Sequence, residues 1–255
     1  MLLIAGGLIL AGCPSPKVPP PAIGDTEAVT AGSETLTMIY TNDSTTITFP
    51  TGTDDNGTPA TLTTRFWMAE TEVTNAAMAE VLQWAYDNGR FSTTVDEPNG
   101  LNTMTAKHGG QQLLNLGDAD CHVAYDGSEG FSAESGYKDH PVTNVTWYGA
   151  VMFCAWLTEM RDGNTANVVY VWTDNGDDGG TAYDGIWQDD ETDEDMTLTG
   201  FRLPSSDEWE YAARYRGTDS VNTVSGYSNP YFTQGDSASG AATGFDDNTN
   251  GSGEP

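Results

Sequence analysis

At 255 residues the chain is long enough for one domain of ordinary to large size plus a tether. Hydrophobic residues make up only 37%, yet seven Trp and eleven Tyr can still build a core, so the composition excludes a disordered chain and implies a loop-rich, aromatic-rich globular domain. Nine Lys and Arg against 38 Asp and Glu give a formal net charge of −29, which repels nucleic acid and anionic headgroups and excludes nucleic-acid binding.

Residues 2–12 form an uncharged apolar run, too short to span a bilayer as a helix but suited to the apolar region of a signal peptide. The run closes on Leu10-Ala11-Gly12-Cys13, which resembles a bacterial lipobox, with small residues before the cleaved bond and a Cys that receives a lipid. No Lys or Arg precedes the run, so the true start codon is open. Residues 1–12 are therefore expected to be a lipoprotein signal peptide, with Cys13 the lipid attachment site. Residues 13–35 are expected to be a Pro- and Gly-rich tether, beginning with the extended Pro14-Ser15-Pro16-Lys17-Val18-Pro19-Pro20-Pro21. This places the protein in the cell envelope, anchored to the outer or plasma membrane and facing outside the cytoplasm. Such a compartment permits a disulfide between Cys121 and Cys154.

Leu36–Tyr40 and Thr46–Phe49 alternate as short strands, with a turn at Asp54-Asp55-Asn56-Gly57; Phe66-Trp67-Met68 reads as another strand. A first helix follows. Thr74 is its N-cap, Met78, Val81, Leu82, Ala85 and Tyr86 recur at helical spacing, and Asn88-Gly89 ends it. Residues 92–139 show no sustained period and read as a long ordered loop. The second helix has Thr146 as cap, an apolar face of Trp147, Ala150, Val151, Cys154 and Leu157, and Gly163 as stop. Val168–Trp172 and Tyr183–Trp187 read as a long-looped hairpin. A third helix starts at Ser205 or Ser206, where Ser205 and Glu208 have capping-box spacing. Trp209, Ala212 and Ala213 are expected on its core face and Gly217 at its end.

Three blocks stand in a telling order. The first is Phe66-Trp67-Met68 leading to Glu72-Val73-Thr74-Asn75. The second is His140-Pro141-Val142 with Val145-Thr146-Trp147 and Phe153-Cys154-Ala155-Trp156-Leu157. The third runs Gly200-Phe201-Arg202-Leu203-Pro204-Ser205-Ser206-Asp207-Glu208-Trp209-Glu210-Tyr211-Ala212-Ala213-Arg214. Together they resemble the formylglycine-generating enzyme, or sulfatase-modifying factor, family over roughly residues 60–217. The resemblance implies an α+β, C-type-lectin-like fold with few short helices and strands, here spanning residues 36–255 and incomplete at the C-terminus. It also implies a copper-dependent oxidase that converts a substrate Cys to formylglycine. In the family, two reactive cysteines lie in a later segment, and soft thiolates suit Cu(I). Cys13, Cys121 and Cys154 match neither position, so no catalytic residue is expected in this chain and copper belongs to a complete family member only. The family often pairs the Cys of its second helix with a C-terminal Cys, which would leave Cys154 without that partner.

Calcium is the other metal the resemblance implies. The family's calcium turn is nearest to Thr243–Asn248, where Gly244 replaces a liganding Asn and Asp246 is the substitute ligand. Among the motif residues, Trp147, Trp156 and Trp209 are expected in the core. Arg202 is expected to pair with a carboxylate, Glu208 or Glu210. His140 reads as a structural histidine, and His108 and His122 lack metal partners at usable spacing. Two functions stay open: an oxidase of the formylglycine-generating type, or a non-catalytic module on the same scaffold that binds carbohydrate or protein.

Overall fold

The structure is a computed structural model that describes residues 11–12, 21–43, 46–52, 55, 57–90, 103–105, 112–126, 130–171 and 193–235. The chain divides into two units, each assembled from two stretches of sequence. Unit 1 is Met1–Thr41 with Phe66–Leu203, and unit 2 is Asn42–Arg65 with Pro204–Pro255.

The chain opens with β1 (Ala11–Gly12), β2 (Thr26–Ala31) and β3 (Glu34–Asn42). The short β4 (Ile47–Phe49) and β5 (Ala60–Leu62) follow, then β6 (Phe66–Ala69). β3 alternates strictly: Leu36, Met38 and Tyr40 are buried while the residues between them are not. That period of two is what a half-buried strand requires. Unit 1 builds its sheet in the order β1-β6-β3-β2.

Against this sheet pack α1 (Asn75–Asp87) and α2 (Trp147–Asp162). The Thr74 side chain accepts from the Ala77 N–H at 3.2 Å, and the Thr146 side chain accepts from the Gly149 N–H at 3.1 Å. Each threonine thereby satisfies a helix-start donor that has no partner in the helix. α2 ends at Gly163, whose φ of 69° is the left-handed cap that glycine takes without strain. Its residues 149–159 are buried all round, so α2 is the central helix of the unit and not a one-sided surface helix.

Residues 92–139 are not one long loop. The described residues there contain β7 (Thr103–Thr105), β8 (Gln112–Asn115), β9 (Val123–Asp126) and β10 (Gly130–Ala133). β7 pairs with β8, and β9 with β10, both antiparallel. Strands of three or four residues are too short to establish a visible alternation, so the sequence carries no period there. Tyr86, Tyr125 and Phe131 form an aromatic cluster on this side, with Tyr125 and Phe131 centroids 4.7 Å apart.

β11 (Tyr170–Val171) pairs with β12 (Asp193–Glu194), Tyr170 opposite Glu194. The expected partner, residues 183–187, lies outside the described residues.

Unit 2 contains α3 (Ser206–Arg214), β13 (Tyr215–Gly217) and β14 (Tyr231–Phe232) besides β4 and β5. The capping box is made: Ser205 N–H donates to Glu208 Oε2 at 2.9 Å, and Glu208 N–H donates to Ser205 Oγ at 3.2 Å. α3 stops at Arg214, three residues short of Gly217, because Tyr215 turns extended to pair with Phe232. Its buried face is Glu208, Tyr211 and Arg214, while Trp209 is 53% exposed and Ala213 is exposed. The face expected from hydrophobicity, Trp209, Ala212 and Ala213, is not the buried one, because this helix buries charged residues that find partners.

Arg214 is the chief of these. It pairs with Asp55 and with Glu210, the latter at 3.0 Å, and donates to the carbonyls of Gly52 and Thr233. A guanidinium can hold that many acceptors because it has five donors in a fixed plane. Asp55 also accepts from the Gly235 N–H at 3.1 Å, and Glu210 from the Gly52 N–H at 2.9 Å. Beside this polar hub, Phe49, Tyr211 and Phe232 form the unit's aromatic core, with centroids 5.5–6.0 Å apart.

Candidate functional site

The residues that carry chemistry in unit 1 gather where α2 meets the segment Gly200–Leu203. Thr158 makes the first tie: its hydroxyl donates to the Cys154 carbonyl at 2.9 Å and accepts from the Phe201 N–H at 2.8 Å. Gly200 is required here, since a Cβ would collide with the Asn167 carbonyl and the Thr158 side chain. The Arg161 guanidinium lies 4.8 Å over the Phe201 ring, a cation–π contact. Leu203 N–H donates to the Tyr170 hydroxyl at 2.8 Å.

Cys154 sits inside this knot, fully buried, and its sulfur hydrogen-bonds the Tyr170 side chain. Burial pushes the thiol far above its ordinary range, and the nearby Arg202 guanidinium offsets only part of that. Burial likewise raises Tyr170. Removing a proton would leave an anion in a dry environment, so both groups stay neutral. Arg202 is buried and donates to the Leu203 carbonyl at 3.0 Å.

Cys121 is also buried. Its thiol donates to the Val123 carbonyl at 3.7 Å and is raised, first by burial and then by the Asp118 and Glu134 carboxylates. Both cysteines are free thiols. The Cys121–Cys154 disulfide that the compartment would permit is therefore not made: each sulfur has a separate hydrogen-bond partner, Val123 for one and Tyr170 for the other.

A second group of side chains lies at the surface. His122 stacks on Tyr137, with centroids 3.5 Å apart and rings 12° from parallel, and His122 Nδ1 meets Glu134 Oε2 at 2.9 Å. His140 stands edge-on to the same Tyr137 ring at 5.2 Å. Tyr137 is 39% exposed. The buried Asn75 at the start of α1 holds this loop from behind, donating through Nδ2 to the carbonyls of Tyr137 at 2.9 Å and His140 at 3.1 Å. The His140 side chain is exposed; its ring meets Tyr137, and only its main-chain carbonyl accepts from Asn75. Tyr137 is not singled out by the sequence, and Asn75, part of the first motif block, has no role assigned there; the adjacency of Gly136-Tyr137 to the His140-Pro141-Val142 block is the available signal.

Of the three motif tryptophans, only Trp156 is in the core. Trp147 is 48% exposed and Trp209 more so. Both occupy the first turns of their helices, where side chains point back over the helix end instead of into the core. Among the described residues no group of three or more His, Cys, Asp or Glu could hold a metal ion. Cys13, His108 and Asp246 lie outside the described residues.

The sequence model of the sulfatase-modifying factor enzyme 1-like domain matches residues 26–247. The chain belongs to this FGE-sulfatase family. The family's C-type-lectin-like fold, α+β and loop-rich, is the architecture described above, with three helices and small sheets among the described residues. No curated protein and no solved structure matches the chain. In the terms of this family, the Gly200–Leu203 half of the third block locks onto α2, and its Ser205–Arg214 half forms the helix of unit 2.

Proposed function

We propose that this chain is part of an exported, Cys13-anchored envelope protein of sulfatase-modifying type. Its chemistry is the oxidation of a substrate cysteine to formylglycine, and that chemistry depends on a thiolate pair other than Cys13, Cys121 and Cys154. Membership of the family supports the reaction class. The observation that carries the rest is the state of Cys154, a fully buried thiol held neutral by its surroundings. Cu(I) is bound by soft thiolates. Cys121 and Cys154, buried and protonated, do not fit that role, and no copper step is derived through them. Calcium, if the family's turn is used, falls to Asp246.

The test uses this chain with Cu(I), dioxygen and a cysteine-containing sulfatase peptide, read by mass spectrometry. No conversion is expected. Copper-dependent loss of the peptide sulfur would sink the reading. Globomycin-sensitive lipidation, lost in Cys13→Ser, would support the anchor; unchanged membrane partition of that variant would refute it.

A second reading, a non-catalytic module for a carbohydrate or protein ligand, draws on the exposed Tyr137–His122 stack and on Trp147. Planar rings at a surface suit sugar faces and interface anchors. Glycan binding that survives Tyr137→Ala and Trp147→Ala, each assayed alone, would remove it.

A further inference from the structure

The segment Glu134–His140, between β10 and α2, is exposed along its whole length. Its shape is nonetheless fixed. The Tyr137 N–H donates to the Glu134 carbonyl and the His140 N–H to the Tyr137 carbonyl, each at 3.1 Å. The fully buried Asn75 binds the Tyr137 and His140 carbonyls from within. A ligand that settles on this segment therefore has little chain left to order.

The rings held there have a particular arrangement. His122 lies flat on Tyr137, while the Tyr137 and His140 planes meet at 75° with centroids 5.2 Å apart. Two ring planes near a right angle make a corner. A roughly spherical cation can touch both walls, whereas a planar one can stack on only one. Aromatic faces carry the negative end of the ring quadrupole and attract such a cation.

The charge around the corner has the same sign. Glu134 is exposed, and its Oε2 meets His122 Nδ1 at 2.9 Å, which sets a carboxylate at the rim of the stack. Asp118 acts with Glu134 on Cys121, the residue before His122, and Asp139 lies within the segment itself. Lys138 is the single Lys or Arg of residues 118–140. A neutral sugar gains nothing from this negative field, and a cation does.

We propose that the corner formed by Tyr137 and His140, with His122 behind Tyr137 and Glu134 at its rim, binds the quaternary ammonium group of a small organic cation. The inference takes from the second reading above only that Tyr137 faces a ligand, and it puts a cation where that reading puts a sugar or a protein.

The experiment titrates the full chain with choline and follows the ring protons of Tyr137, His122 and His140 by NMR. The control probe is 3,3-dimethylbutan-1-ol, which has the shape of choline without its charge. Choline should give saturable shifts of these rings, and the alcohol should bind at least about tenfold more weakly. Tyr137→Phe should retain choline binding and Tyr137→Ala should lose it. Glu134→Gln, which keeps an acceptor for His122, should weaken it about threefold. Shifts that do not saturate, equal binding of the alcohol, or unchanged binding in Tyr137→Ala would overturn the proposal. Guanidinium bound as tightly as choline would overturn it too, since a planar ion needs no corner. His140→Ala, at an exposed side chain, takes the place of Tyr137→Ala should that variant fail to fold, with the same loss expected. Glycan binding through Tyr137 without choline binding would refute this inference and leave the second reading standing; choline binding without glycan binding would do the reverse for the sugar.

Discussion

Gly149 in the first turn of α2 is the position where one added methyl group should do most harm. A Cβ there would press well inside contact distance of the Leu113 carbonyl oxygen and lie 2.8 Å from its carbonyl carbon. Both are main-chain atoms of β8, so no side-chain rotation relieves the clash. The helix would have to withdraw by roughly 1 Å, which is overpacking of a core whose walls, Leu113 and Leu114, are 1% exposed. That movement stretches the Thr146 N–H bond to the Leu113 carbonyl, now 3.0 Å, and the Thr146 hydroxyl bond to Gln112, now 2.5 Å. Two lost hydrogen bonds cost about 1 kcal/mol each. Overpacking adds about 1–3 kcal/mol, and the better helix propensity of Ala returns about 1 kcal/mol. The expected net loss for Gly149→Ala is therefore about 2–4 kcal/mol, or a fall in Tm of roughly 5–12 °C for a chain of this size. Urea titration and thermal melts followed by circular dichroism measure it. Gly163→Ala is the control, since that site has open space around it but a φ of 69°; the cost there should be only about 1–2 kcal/mol. A Gly149→Ala protein that melts with or above the wild type would refute the packing described for α2 and β8.

Asn75→Ala should cost about 2–3 kcal/mol, because it removes the donor to Tyr137 and His140 from a fully buried site; a loss below about 0.5 kcal/mol by urea titration would contradict it. Ser205→Ala should cost about 1 kcal/mol through loss of the capping box. An unchanged midpoint in chemical denaturation would show that the cap is immaterial. The thiol of Cys154 is raised from 9.0 in the folded state, so below that pH both states keep the proton and stability is intact. Above it the unfolded chain ionises first, and stability should fall as pH rises, less steeply in Cys154→Ala. Tm recorded across the alkaline range tests this, and parallel slopes for the two proteins would refute it. Alkylation of Cys121 and Cys154 near neutral pH should be at least about tenfold slower in the native protein than in urea, and equal rates by mass spectrometry would show the thiols to be accessible.

The three helices were legible because each has a side-chain cap, Thr74, Thr146 or Ser205, at the start of a periodic stretch. β3 was legible because nine residues are enough to display alternation. The hairpins β7–β8 and β9–β10 were not, since three- and four-residue strands stabilised by distant helices leave no local period. The buried face of α3 is not legible for a different reason: Arg214 is buried by virtue of partners that sequence proximity does not reveal, Asp55 and Gly52. At the candidate site, the motif residues were identifiable but their roles were not. Burial decides that Cys154 is inert, and burial is a property of the packed helix that no pattern in Phe153-Cys154-Ala155-Trp156-Leu157 distinguishes from reactivity.

The interleaving of the two units along the chain sets an order of events during synthesis. Residues 42–65 emerge early, yet the helix and strands they join belong to residues 204 onward. Until that later stretch leaves the ribosome, β4 and β5 are a lone hairpin, which is marginal in water. A translation product halted near residue 203 would therefore present Phe49 and Leu62 as orphaned apolar surface, the kind of segment that quality-control proteases and holdase chaperones recognise.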